Sequence, residues 1–255
     1  MPTALSKGRA PLGEELRTLG KLLFLFDAND LNSLYSNTAS VNYWPDSSGN
    51  GFGVSQTGTA RPTFYPNFDT FGNAAVRFGA GGGQHMIMAD NDNMDNLLAG
   101  APITTFIYGR SLYNGLSQAI WSKYTSGGNA GPLFRYRNIG ATEIYAEYLS
   151  TNAADSVQYN VYGSTDCNGV NSLAIIDYTP TSVAHSFING SVDTLVTSAG
   201  GSGLFAGNSS SFYIGALNAG GVTQFLNGDI YILGCYIGAL DTTTRRALEI
   251  GRAHV

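Results

Sequence analysis

Leu22-Leu23-Phe24-Leu25-Phe26 is the longest apolar run of the chain, and Gly228-Asp229-Ile230-Tyr231-Ile232-Leu233-Gly234-Cys235-Tyr236-Ile237 is its apolar counterpart near the other end. The first is far short of the roughly 18–20 residues of a membrane span and reads as a buried strand. The second closes a long series of strands. Between them, runs of β-branched and aromatic residues predict strands at 74–78, 103–110, 117–123, 132–137, 142–149, 157–162, 171–177, 183–188 and 212–215. Asn189-Gly190 reads as a tight hairpin turn, because both residues tolerate positive φ. Asp241 is placed to cap a short helix over 242–249. Many short strands and little helix predict an all-β antiparallel β-sandwich with a short C-terminal helix. The strand over 22–26 is expected to pair near the strand over 230–237.

The composition agrees with this reading. Of 255 residues, 43% are hydrophobic and 12% aromatic, enough for a sizeable core, and 33 glycines supply turns. Only 12% are charged, which implies a surface of Ser, Thr, Asn, Gly and Tyr. A net charge of −5 without any Lys/Arg-rich run argues against nucleic acid as a partner, and no apolar segment suggests a membrane. Cys167 and Cys235 read as buried free thiols rather than a disulfide, and His85, His185 and His254 show no ligand spacing.

The two ends differ from the rest. Residues 1–20 hold Lys7, Arg9, Glu14, Glu15 and Arg17, with Leu5, Leu16 and Leu19 as their large aliphatic side chains. So little apolar area does not offset ordering some twenty residues at about 1–2 kcal/mol each, so an N-terminal arm that is a loose terminus on its own is expected. An arm that docks on a partner surface is the alternative. Ile250-Gly251-Arg252-Ala253-His254-Val255 matches what a common sequencing adapter encodes in one frame, so 250–255 is expected to be a non-native tail. A genuine polar tail is the alternative. The sandwich itself is assigned to 21–249.

Four segments in order resemble the concanavalin A-like lectin/glucanase superfamily, in its laminin-G-like jelly-roll branch. They are Phe26-Asp27-Ala28-Asn29-Asp30-Leu31-Asn32-Ser33-Leu34-Tyr35; Trp44-Pro45-Asp46-Ser47-Ser48-Gly49-Asn50-Gly51 with Ala60-Arg61-Pro62-Thr63-Phe64; Ala75-Val76-Arg77-Phe78; and Phe225-Leu226-Asn227-Gly228-Asp229-Ile230-Tyr231 with the closing Leu240-Asp241. The resemblance covers about 22–250. It implies a concanavalin A-like jelly roll of the type found in phage structural proteins and bacterial surface proteins.

Candidate sites follow from residue chemistry and from this resemblance. Strands of the concave sheet in this superfamily fall in mid-chain, where Tyr108, Tyr113, Trp121, Tyr124, Tyr136 and Tyr145 are candidates for stacking sugar rings. Each has a competing place in the sandwich core. Asp90-Asn91-Asp92-Asn93-Met94-Asp95 has the look of a calcium loop, and laminin-G-like domains often bind calcium at a sandwich rim, so Asp90, Asp92 and Asp95 are candidate ligands. Met94 stands where an oxygen ligand belongs, and Asp92 or Asn93 as cap of a short helix over 94–98 is the alternative. Asp46 with Asn50 is a weaker metal candidate and reads better as an Asx-turn. The chain lacks the alternating carboxylates of the superfamily's glycanases. Glu143 and Glu147 share a strand face about 13 Å apart, too far for two-carboxylate hydrolysis, and are expected to lie on an exposed polar face opposite Ile144 and Ala146.

The expected function is therefore a non-catalytic virion structural or surface-binding module. Its partners would be glycans or other virion proteins, with self-association into a homo-oligomer left open. No cofactor is expected apart from calcium, and the expected location is a virion or extracellular surface. A bacterial carbohydrate-binding adhesion domain is the first alternative, and a glycanase or lyase with unusual catalytic residues the second.

Overall fold

The computed structural model describes residues 21–69, 72–112, 114–124, 131–138, 144–151, 158–179, 185–197, 205, 207–241 and 245. The arm over 1–20, Tyr113, Glu143, nearly all of the helix expected over 242–249 and the tail over 250–255 lie outside the described residues. Two large antiparallel sheets form a sandwich. The spine of the first is β19 (Gly228–Ile237), flanked along one edge by β7 (Ile103–Ser111). Its other edge is shared. β5 (Ala75–Phe78) pairs with Gly228, Asp229 and Ile230, and β1 (Leu22–Asp27) pairs with Ile232 through Tyr236. The first and last strands thus lie side by side, as the sequence predicts. Beyond β7 come β12 (Asn171–Tyr178), β13 (His185–Ile188) and β14 (Ser191–Asp193), and beyond β5 comes β4 (Thr63–Tyr65). Asn189 and Gly190, at φ 53° and 83°, turn β13 into β14.

The second sheet runs β15 (Val196–Thr197), β11 (Gln158–Tyr162), β10 (Ile144–Thr151), β9 (Leu133–Asn138), β8 (Gln118–Ser122), β16 (Phe212–Ile214), β6 (Met86–Met88), β3 (Val54–Ser55) and β2 (Tyr43–Trp44). A small hairpin of β17 (Leu217–Asn218) and β18 (Val222–Thr223) stands apart from both sheets. An α-helix, α1 (Asp92–Leu98), is capped by Asn91, whose side chain accepts from the N–H groups of Asn93 and Met94. The cap falls one residue before Asp92, the earlier of the two positions the sequence suggests.

The main core lies between the sheets. Phe24 and Phe26 from β1 meet Trp121 and Phe212 from the facing sheet, with Phe24 edge-on to Trp121 at 5.4 Å and 5.1 Å from Phe212. A second apolar cluster covers the outer face of the first sheet, where Leu22, Leu25, Phe106, Ile175, Phe187 and Ile232 pack with Leu240. This sheet is buried on both faces, which explains why β1 and β19 are unbroken apolar runs rather than alternating ones. At the register shifts Leu22/Phe24 and Ile230/Ile232 two successive side chains face one cluster, Leu23 and Phe24 the inter-sheet core and Tyr231 and Ile232 the outer cluster. The loop over 44–51 seals the free edge of β1. Asp46 accepts from the N–H of Leu25 and closes an Asx-turn onto the N–H of Ser48, and the Asn50 amide donates to the carbonyls of Leu22 and Leu23 at 2.8 Å. Asp46 and Asn50 are therefore edge-sealing groups, with the Asx-turn reading confirmed.

Gly234 in the middle of β19 has a steric reason. It stands opposite Phe106, and a Cβ there would lie 2.3 Å from Phe106 Cζ. Gly234→Ala should cost about 1–3 kcal/mol of stability, the range for overpacking a core. The urea midpoint would read this, and Phe106→Leu should restore part of the loss.

On the same outer face, the Thr104 hydroxyl lies 2.6 Å from Asp177 Oδ1 and 2.9 Å from the Gly238 carbonyl, and it accepts from the Leu240 N–H. One hydroxyl proton cannot serve two acceptors. Protonation of Asp177 would relieve the conflict, since the carboxyl would then donate to Thr104 and free the hydroxyl to donate to Gly238. Burial pushes the Asp177 carboxyl above the usual range, against the pull of Thr104, Arg245 and His185. A carboxyl whose folded pKa is raised lowers stability as pH climbs through that pKa, because the folded state must ionise a buried group. Asp177→Asn should therefore melt at or above the wild type at neutral pH. The difference should close below about pH 4, where Asp is neutral in the unfolded chain as well.

Candidate functional site

On the second sheet, Phe134, Tyr136, Ala146, Tyr148 and Val161 point into the core. By the two-residue period of a strand, Arg135, Arg137, Tyr145, Glu147 and Tyr162 share the outer face. The registers bring them together: Arg137 stands opposite Tyr145, Arg135 opposite Glu147, and Glu147 opposite Tyr162. The Glu147 side chain is 0% exposed. Its Oε2 accepts from Arg135 Nε, and its Oε1 accepts from Arg137 Nη1 at 2.9 Å. A carboxylate this deep is tolerable because two guanidiniums replace its water. The Arg137 guanidinium stands 4.4 Å from the centre of the Tyr162 ring, and Arg135 Nη1 also donates to Gln224 Oε1. Among the described residues, two guanidiniums here face one carboxylate. Tyr145 and Tyr162 are half-buried.

The small hairpin borders the patch. Leu217 packs on Ala119 and Leu133 of the same face, with Tyr124 against them, and Gln224 directly follows β18. Asn160, two residues before Tyr162 on this face, is only 8% exposed, and its Oδ1 has no hydrogen-bond partner.

The structure sorts the aromatic candidates. Tyr145 is in the patch and Tyr124 at its margin. Trp121 and Tyr136 are core residues: both are fully buried between the sheets, and Trp121 Nε1 donates to Thr105 Oγ1 at 2.8 Å. Tyr108 is buried on the outer face of the other sheet, its ring 4.9 Å from that of Tyr231. These three have no surface to offer a sugar. Tyr113 is outside the described residues. Glu147 is opposite Ala146 as expected, but it is a buried ion-pair partner rather than an exposed polar group. Arg135, Arg137 and Tyr162 escaped the sequence reading, although Arg135-Tyr136-Arg137 carried the signal: two cations on one strand face with an aromatic on the other.

Asp90, Asp92 and Asp95 do converge, with carboxylate oxygens within 4.8 Å of one another. With Asn96, Gly207, Asn208 and Ser209 they line an open polar pocket of about 430 Å³. The fully buried Lys123 supplies the cation. Its Nζ lies 2.6 Å from Asp90 Oδ1 and 2.9 Å from Asp95 Oδ1, and donates to the Ser210 carbonyl at 2.8 Å. Burial raises the Asp95 carboxyl pKa, and Lys123 opposes the shift. Two of the three carboxylates thus pair with an ammonium, and the three together stand close enough to hold a metal ion as well.

No family model and no curated protein matches this sequence. Solved structures do share the fold. A botulinum neurotoxin type C structure, from work on cell entry through two ganglioside molecules, superposes with a TM-score of 0.61 at 13% identity, over 95% of this chain and 53% of that chain. The chain therefore spans about half the length of that toxin fragment. Domain 4 of AbnA, a GH43 extracellular arabinanase from Geobacillus stearothermophilus in complex with arabinotriose, gives 0.53 at 15% identity, over 91% of this chain and 98% of that domain. The CBM40 of the Ruminococcus gnavus IT-sialidase, bound to α2,3-sialyllactose, gives 0.52 at 12% identity, over 69% of this chain and 94% of that one. The chain is thus an all-β sandwich of an architecture that these carbohydrate-binding domains also adopt.

The ion-pair geometry reverses the expectation of an exposed Glu147. Glu147→Gln should cost about 1.5–3 kcal/mol, the worth of hydrogen bonds to a charged group. The cost stays below that of breaking a fully buried pair, because both guanidiniums reach water. Chemical denaturation would measure it, and an unchanged midpoint would contradict the geometry.

Proposed function

We propose that this chain is a non-catalytic carbohydrate-binding module of the concanavalin A-like kind, working on a virion or other extracellular surface. The outer-face patch of the second sheet carries the reading. Tyr145 and Tyr162 offer rings for stacking sugar faces, and Arg135 and Arg137 offer oriented donors beside them. The structural neighbours described with sialyllactose, arabinotriose and gangliosides support it. The sparse charge of the chain and its resemblance to phage structural and bacterial surface proteins suit a virion role and a bacterial adhesion domain alike. Capsid and tail genes on either side of its own gene would separate the two.

A glycan array probed with the wild type, Tyr145→Ala and Tyr162→Ala tests the proposal. The wild type should bind a restricted set of glycans, and each variant should bind about tenfold more weakly, the equivalent of roughly 1.4 kcal/mol, while melting as a folded protein. Release of reducing ends from a bound polysaccharide would instead make the chain an enzyme.

A further inference from the structure

The same device, one buried carboxylate held by arginines on its own sheet face, occurs on both outer faces of the sandwich, and the two copies differ. On the first sheet, Asp229 of β19 lies between Arg77 of β5 and Arg110 of β7. Both forks are closed. Arg77 donates Nε and Nη2 to Asp229, and so does Arg110, at 2.7–3.4 Å. The Arg77 guanidinium also stands near two rings, 5.0 Å from Tyr65 and 4.6 Å from Phe68. That copy is saturated and fastens the loop carrying Phe68 onto the sheet.

On the second sheet the forks are open. Arg137 gives Glu147 only Nη1, and neither its Nε nor its Nη2 has a hydrogen-bond partner among the described residues. Arg135 gives Glu147 only Nε. The Arg137 side chain is 30% exposed, with one flat face over Tyr162. A half-used guanidinium, oriented by a buried carboxylate, matches a planar two-oxygen anion.

We infer that the patch takes an acidic saccharide, whose carboxylate docks on the open fork of Arg137. The inference rests on the carbohydrate-binding reading and specifies its ligand class. Lysine in place of Arg137 would keep the charge but lose the fork and the ring contact, so charge and geometry can be separated.

The test is calorimetric titration of the full chain with four probes: an oligogalacturonate, the same oligosaccharide with its carboxyl groups reduced to alcohols, a sulfated oligosaccharide of similar length, and arabinotriose as a neutral sugar. The oligogalacturonate should bind at least about tenfold more tightly than its reduced form, and its affinity should fall as NaCl rises from about 50 to 300 mM. Arg137→Gln should abolish that preference, and Arg137→Lys should weaken binding while keeping its salt dependence, with thermal melts confirming folded protein. Equal binding of the acidic and reduced sugars, or an Arg137→Gln variant that keeps the preference, would overturn the acidic-ligand inference and leave the carbohydrate reading standing. Tighter binding of the sulfated probe would overturn the carboxylate assignment. Binding of none of the four, followed by a silent glycan array, would overturn both readings.

Discussion

The architecture depends on one strand being buried on every side. β19 has β7 along one edge, β1 and β5 in succession along the other, the inter-sheet core against one face and a second apolar cluster against the opposite face. A strand so enclosed must satisfy every backbone group by pairing, because no water reaches it. That requirement brings the first and last strands of the sandwich into register. It also fixes where bulk is forbidden, as at Gly234 beneath Phe106. The free edge of β1 would be the weak point, and the side chains of Asp46 and Asn50 occupy it.

The few charges are used as fasteners rather than as surface dressing. Asp229 ties three neighbouring strands together through Arg77 and Arg110. Glu147 ties β10 to β9 through Arg135 and Arg137. Lys123, just past β8, joins the start of α1 to the segment entering β16 through Asp90, Asp95 and Ser210. In each case a group with no exposed side-chain surface is surrounded by opposite charge or by carbonyl oxygens, which is how an ion becomes tolerable inside a protein.

The proposed binding function grows out of the same economy. A saturated ion cluster is a structural bolt. An unsaturated one at a partly exposed sheet face, with rings beside it, is a recognition element whose orientation is already fixed before a ligand arrives. The difference lies in which guanidinium nitrogens remain unused, and not in which residue types are present.

The strands were legible in the sequence because each lies on a repeating local pattern. The runs at 103–110, 117–123, 132–137 and 171–177 fall within a residue or two of the observed β7, β8, β9 and β12. The Asn189-Gly190 turn was legible because its backbone demands residues tolerant of positive φ. A strand's period of two says which side chains share a face, and it cannot say which face meets the other sheet. Tyr136 and Arg137 are neighbours in sequence, yet one is sealed in the core and the other lies over Tyr162 in the patch, and only the stacking of the two sheets decides between them. The acidic cluster teaches the same lesson at longer range. Local spacing marked Asp90, Asp92 and Asp95 as cation ligands, but it could not show that Lys123, at the end of another strand, pairs with Asp90 and Asp95. Local periodicity determined the strands and the turn; the long-range approach of strands remote in sequence determined which charges are buried, which rings stay at the surface and where a ligand can be held.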